Sequence, residues 1–349
     1  MRFRWKTRRW AGIGLLALLA AAVLSACGDN SANFTQPAGE IAKQESDIFW
    51  FILIVATIIF VVVTGWLLIS IIRFRARPDS APARQIAGNS KIEIAWTVVP
   101  SLILFLVLAF TIKTMFALAQ PASSTTLQVQ AIGHQWWWEF RYPGQNVVTA
   151  DELHVPLNTV VQISLQSDNV IHSFWVPAIA GKMDVIPGHD NVMWFRVQRA
   201  GTYRGECTEY CGEQHAHMDF IVVAESQTSY QNWLAGQQAA AASPAPGSAA
   251  ALGKQLFLTQ GCQGCHQING VTPAGAKVIG PNLTHFGSRQ LIAGGVLDNN
   301  TANLMEWIWH AQTVKPDVDM PSFDGSSPPN PALTQDQVSN LVAYLQSLQ

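Results

Sequence analysis

One dodecapeptide, CTEYCGEQHAHM (207–218), crowds together two cysteines, two histidines and a methionine. Four chemistries compete for it. A Cys207–Cys211 disulfide would leave the histidines and Met218 without a task. Zinc would take both cysteines, one histidine and a further nitrogen or sulfur donor, and would ignore Met218. Buried residues without a metal are the third reading. Thiolate, imidazole and thioether together, on a β-sandwich, are what copper in an electron-transfer site selects. A blue copper site uses one cysteine, so two point to thiolates that each bridge a pair of copper ions and spread the transferred electron over both. Such a pair needs a second terminal imidazole, and His172 in DNVIHSFWVP is the candidate.

A second constellation lies in GCQGCHQI. Cys262, Cys265 and His266 form C-x-x-C-H, the attachment motif of c-type haem. The two thiols suit the porphyrin edge and the histidine suits its iron, whereas a redox pair or a disulfide would have no use for His266. The sixth iron ligand is expected downstream. Met305 lies in the helical run NLMEWIWH, while Met320 stands in the Pro-flanked stretch KPDVDMPSF, suited to presenting a thioether. His285 and His310 are the rivals. A His–Met pair raises the reduction potential, as an electron carrier late in a respiratory chain requires.

These residues must be positioned by something, and composition sets the frame. The 349 residues leave room for two or three domains. They are 49% hydrophobic and only 13% charged, which points to membrane segments. The start, MRFRWKTRRW, is basic and acid-free, an apolar run follows, and LSAC ends it; residues 1–26 read as an export signal. The sequence Leu24-Ser25-Ala26-Cys27 resembles a bacterial lipobox, so Cys27 is expected to be lipidated and to head the mature chain. That chain would keep 16 basic and 23 acidic groups, a formal −7. Residues 27–120 contain two apolar stretches, about 47–72 and 93–119, each long enough to span a bilayer. The loop between them carries four arginines, a lysine and one acid, which places it in the cytoplasm and everything after Gln120 outside.

From residue 121 to 226 the pattern changes to alternation broken by turn residues. LQVQAIGHQWWWEFRY, VVQISLQS, NVMWFRVQ and MDFIVVAE read as strands of an all-β sandwich or barrel. Residues 227–250 are rich in Ala, Pro and Ser and read as a flexible linker, with a reach of ~25–30 Å. Residues 251–349 hold helical patterns in NLMEWIWHAQ and TQDQVSNLVAYLQSL, the latter opened by Thr334 as N-cap.

The C-terminal hundred residues resemble a class I cytochrome c: CQGCH, GPNL (280–283), the MPSF loop and a helix carrying LVAYLQSL occur in that family's order. The resemblance places Pro281 near the iron-ligating histidine. The spacing C-x3-C-x3-H-x2-M, with HSFWVP upstream, closely resembles the dinuclear copper A centre of cytochrome c oxidase subunit II. That likeness covers about residues 40–225. It implies a two-helix transmembrane hairpin, an all-β cupredoxin-like copper A domain and an all-α class I cytochrome c domain. It also implies that Cys207 and Cys211 bridge two coppers, with His172 and His215 terminal, Met218 a weak ligand and the carbonyl of Glu209 another. The Glu209 side chain would bind a magnesium ion shared with subunit I, and His217 matches no ligand position. Trp136, in GHQWWWEF, matches the residue where electrons enter copper A. Glu93, in EIAW, matches an acid near a proton-channel entrance in subunit I, and equally suits the acid of a helix's first turn. GKMDVIPGHDN resembles the family's K-x-D-x-x-P-G segment, with His189 where an arginine is expected.

The resemblance implies the electron-input subunit of a cytochrome c oxidase in the bacterial inner membrane, with covalent haem c and copper A outside. Its partners would be subunit I, with haems and copper B, other oxidase subunits, lipid and an external c-type cytochrome or other donor; no nucleic acid is expected. The same relay serving a copper A-type nitric oxide reductase is the alternative. A membrane-anchored copper carrier is the third reading, but a carrier needs neither haem motif nor aromatic patch.

Overall fold

The computed structural model describes residues 33–75, 85, 87–118, 126–273, 279–328 and 332–349. The expected export signal, Cys27 and most of the cytoplasmic loop lie outside the described residues.

Two long helices, α1 (Glu40–Arg73) and α2 (Ser90–Leu118), form the expected hairpin, in contact through Phe51 and Phe110. Both present apolar side chains outward along their lengths, as a lipid-facing helix does. Helix α1 starts seven residues before the apolar run at Asp47. Its first turns are a docking element: Ile41, Ala42 and Ser46 are buried, Ala38 and Gly39 donate to the carbonyl of Ala178, and Glu40 pairs with Arg196. Composition alone reads a membrane span and misses this polar extension, because its burial comes from the neighbouring domain.

The second domain is a sandwich of two five-stranded sheets. One contains, in spatial order, β3 (Val147–Ala150), β2 (Trp137–Tyr142), β1 (Thr126–His134), β5 (Val160–Ser167) and β8 (Asn191–Arg196). The other contains β4 (Glu152–Pro156), β10 (Asp219–Glu225), β9 (Gly201–Cys207), β6 (His172–Val176) and β7 (Ala180–Val185). Period-two burial drives β2: Trp138, Phe140 and Tyr142 point in, while Trp137, Glu139 and Arg141 point away. With Phe174 and Phe220 from the other sheet, Trp138 and Phe140 form an aromatic centre just beneath the 207–218 loop. The run LQVQAIGHQWWWEFRY, expected as one strand, is a hairpin that turns at Gln135–Trp136.

The expected linker is only partly extended. Residues 227–238 form helix α3 (Gln227–Gln238), capped by Ser226, with Tyr230 and Leu234 buried and Trp233 stacked on His154 at 4.3 Å. Its sequence, QTSYQNWLAGQQ, places aromatic and apolar residues at 230, 233 and 234, one helical face, which alanine-rich surroundings obscure. Helix α4 (Ala249–Thr259) opens the C-terminal domain and packs on α6 (Gln335–Ser347), with α5 (Thr301–Val314) beside them. A small hairpin, β11 (Leu291–Ile292) with β12 (Leu297–Asp298), precedes α5. Phe257, Ile268, Leu304, Ile308, Leu341 and Tyr344 fill the core. Thr334 caps α6 in a full capping box with Gln337.

The sandwich and the C-terminal domain are in direct contact. Asp219 donates its backbone N–H to the carbonyl of Gly294 at 3.0 Å, and Glu152 Oε1 accepts from the amides of Gln290 and Leu291.

Candidate functional site

Strand β9 ends at Cys207, strand β10 begins at Asp219, and the loop between them folds Cys207, Cys211, His215 and Met218 onto His172 at the start of β6. Cys207 Sγ lies 3.8 Å from Cys211 Sγ, 3.8 Å from His172 Nδ1 and 3.3 Å from the carbonyl of Glu209. Cys211 Sγ lies 3.7 Å from His215 Nδ1 and 3.9 Å from Met218 Sδ. Ligands held ~2.0–2.3 Å from a common ion at tetrahedral angles stand roughly 3.3–3.8 Å apart, so this donor set fits metal ions where it stands. The cysteines are free thiols, against the disulfide reading.

The surroundings prepare the donors. His172 Nε2 bonds Asn169 Oδ1 at 3.2 Å. An amide oxygen only accepts, so Nε2 carries the proton and Nδ1 turns its lone pair toward Cys207. Gly133 makes room, since a Cβ there would come within 2.7 Å of the His172 ring. The hydrogen bond from Cys211 favours the Cys207 thiolate and pulls its pKa far below the ordinary thiol value, while Cys211, holding the shared proton, is pushed up. His217, two residues from His215, instead bonds Gln214 Oε1 at 2.8 Å.

In the C-terminal domain, Cys262 and Cys265 sit half-buried on a 3-10 turn, and burial pushes the Cys262 thiol up to about 11. His266 Nδ1 donates to the carbonyl of Pro281 at 2.9 Å, which leaves Nε2 free to ligate. Burial holds this imidazole below its ordinary value and therefore neutral, although the Pro281 carbonyl opposes the shift. Two adjoining clefts share Cys265, His266 and Met320 in their walls, with Leu283, Phe286, Trp307 and Pro321 giving both an apolar lining suited to a flat macrocycle. Met305 lies in α5 and lines neither cleft. His285 and His310, the rivals of Met320, line neither cleft.

Residues 29–114 match the family of the cytochrome C oxidase subunit II transmembrane domain, 145–225 that subunit's periplasmic domain, and 250–349 cytochrome c. Across 351 residues the chain is 33% identical to the cytochrome c oxidase subunit 2 of Alkalihalophilus pseudofirmus, covering 99% of this chain and 98% of the relative. The chain belongs to the cytochrome c oxidase subunit 2 family. The subunit 2 of Bacillus sp. PS3 is 32% identical over 357 residues, covering 98% of this chain and 97% of the relative. The solved periplasmic domain of subunit II from Bradyrhizobium japonicum is 28% identical, with a TM-score of 0.33, covering 34% of this chain and 97% of that one. The family implies a copper A centre in the sandwich and haem c in the C-terminal domain.

In this subunit II the three consecutive tryptophans have three environments. Trp138 is core, and Trp137 stacks on His134 at 4.3 Å. Trp136 donates its indole N–H to the carbonyl of Cys211 at 3.0 Å and, with Trp137, lines the same cleft as Cys265, His266 and Met320. Glu93 Oε1 accepts the amide of Asn89, capping its own helix. The Glu209 side chain is exposed, and His189 stands exposed in a turn after Ile186. Asn169 escaped sequence reasoning: an asparagine in a polar turn carries no signal until the fold brings it to His172. Lys315, buried between the domains, gave none either.

Proposed function

We propose that this chain carries electrons into a cytochrome c oxidase of the bacterial inner membrane, from its own haem c through Trp136 to copper A and on to subunit I, where oxygen is reduced to water and protons are pumped. Haem c and the copper pair, when bound, supply one-electron redox chemistry. Cys262 and Cys265 would anchor a haem covalently, and His266 and Met320 would ligate its iron. Cys207, Cys211, His172, His215, Met218 and the Glu209 carbonyl would hold the coppers. The observation that carries this reading is Trp136, whose N–H reaches the Cys211 carbonyl while its ring borders the cleft of His266 and Met320. Asn169 and Pro281 fix the two imidazoles in the tautomers that leave one nitrogen free for metal. The exposed Glu209 carboxylate is available for a magnesium ion shared with subunit I. Lipidated Cys27 and the hairpin would hold the relay at the membrane, and Glu93 would stand near a proton path in the partner. An external c-type cytochrome or another donor would supply the electrons.

The test uses the intact complex, purified in mild detergent through a tag on this chain, fed by a reductant of haem c. Oxygen and nitric oxide consumption are recorded in parallel, beside Met218→Leu. Rapid oxygen uptake that falls by about tenfold or more in the variant is the expected result. Nitric oxide loss without oxygen uptake would transfer the relay to a nitric oxide reductase.

A further inference from the structure

We infer that Lys315 is a positioning residue that latches the haem-bearing domain onto the Trp136 face of the copper domain, making the chain's own haem a docked donor. The inference rests on the relay proposed above and adds the device that sets its geometry.

The Lys315 side chain is 2% exposed and crosses from one domain into the other. Its Nζ donates to the carbonyls of Trp136 at 2.7 Å, His217 at 2.7 Å and Ala293 at 3.0 Å. An ammonium has three N–H groups, and here each has an acceptor. Two acceptors belong to the copper domain, His217 within its metal loop and Trp136 in the hairpin turn bonded to that loop; the third belongs to the lysine's own domain. A buried ammonium is tolerated only when its bonds are made, so this seat exists only with the domains together. Asp151 and Asp219 of the copper domain add favourable charge.

The segment beside the lysine is shaped for the same contact. Gly294 adopts φ +70°, and a Cβ there would come 2.3 Å from Lys315 Nζ and 2.5 Å from the Trp136 carbonyl. At Gly295, φ +81°, a Cβ would come 2.5 Å from the Asp219 carbonyl. Only glycines permit this approach. The Asp219 amide bonds Gly294, and Glu152 accepts from Gln290 and Leu291. The route is then continuous: Lys315 holds the Trp136 carbonyl, and the Trp136 indole holds the Cys211 carbonyl.

The experiment uses the full chain in its complex with Lys315→Met, Gly294→Val, Glu152→Ala and Glu152→Gln. Amide hydrogen exchange at Asp219, Gln290 and Leu291 reports docking, and the haem c to copper A transfer rate after flash reduction reports its consequence. Lys315→Met and Gly294→Val are expected to speed exchange at Asp219 and slow transfer, each by about tenfold or more, with unchanged haem and copper spectra. Exchange within α5 stays at the parent rate, which separates a lost latch from a loosened helix. Glu152→Gln, which keeps the accepting oxygen, behaves as the parent, while Glu152→Ala speeds exchange at Gln290 and Leu291. Parent-like exchange at Asp219 in both Lys315→Met and Gly294→Val would overturn the latch. If Lys315→Met does not fold, Gly294→Val and Glu152→Ala decide. A parent lacking haem or copper spectra would sink the relay instead, and the exchange measurement would still judge the latch.

Discussion

Asn169 fixes His172 through one hydrogen bond, and partners of ligating histidines contribute about 10–100-fold in metal affinity. Asn169→Leu is therefore expected to lower copper retention by that factor while leaving the sandwich folded, as read by metal analysis after graded chelation. Asp151 offers a test of a different kind. Burial raises its carboxyl from 3.8 to about 6, against the opposing Trp138 N–H and Lys315. The native state then keeps a proton that the unfolded chain releases between pH 4 and 6. The stability contributed is present below about pH 4 and lost as pH rises through 6, at most about 3 kcal/mol for a two-unit shift. Asp151→Asn keeps the acceptor for Trp138 and cannot ionise, so its denaturant midpoint should exceed the parent's at pH 7 and converge with it near pH 4. Asp219, shifted up the same way by burial, will leave part of the slope in place. At this scale the candidate copper ligands stand out in the sequence because most of them crowd one loop at fixed spacing. Asn169 and Lys315 do not, because the lysine's partners are backbone carbonyls, which every sequence carries.

The elements that hold the sites differ in how plainly their sequences declare them. The two membrane helices are built on long apolar stretches, and α6 announces itself through Thr334, Gln337 and its apolar face. The Trp-rich run does not reveal its hairpin, since the turn at Gln135–Trp136 contains no glycine, proline or asparagine. Helix α3 is hidden for the opposite reason: its alanine, glutamine and serine content looks like a linker, and only Tyr230, Trp233 and Leu234 tie it to the sandwich. Ser226 accepts the Ser229 amide at its start. Ser226→Ala should cost about 1 kcal/mol of local stability, seen as faster amide exchange across 227–238 with the sheet amides unchanged.

Across the whole molecule, the question is whether tether or interface brings the two redox domains together. Between α3 and α4 only residues 239–248 lie outside helices, and Ala241 among them packs against the C-terminal core. A tether acts by effective concentration, which falls as the −3/2 power of its length. Lengthening this stretch threefold with Gly/Ser residues inserted after Ser243 costs about 1 kcal/mol of closure entropy, or roughly fivefold in the docking constant. If the Lys315 seat, the Gly294 contact and the Glu152 bonds keep the domains docked nearly all the time, a fivefold loss leaves the docked fraction near one. The haem c to copper A transfer rate and the Asp219 amide protection should then match the parent. A tether-dominated pair would instead lose up to fivefold in rate. Combining the insertion with Gly294→Val makes the expectation sharper: once the interface is blocked, the rate should become sensitive to linker length, because effective concentration is then the term that sets the docked fraction.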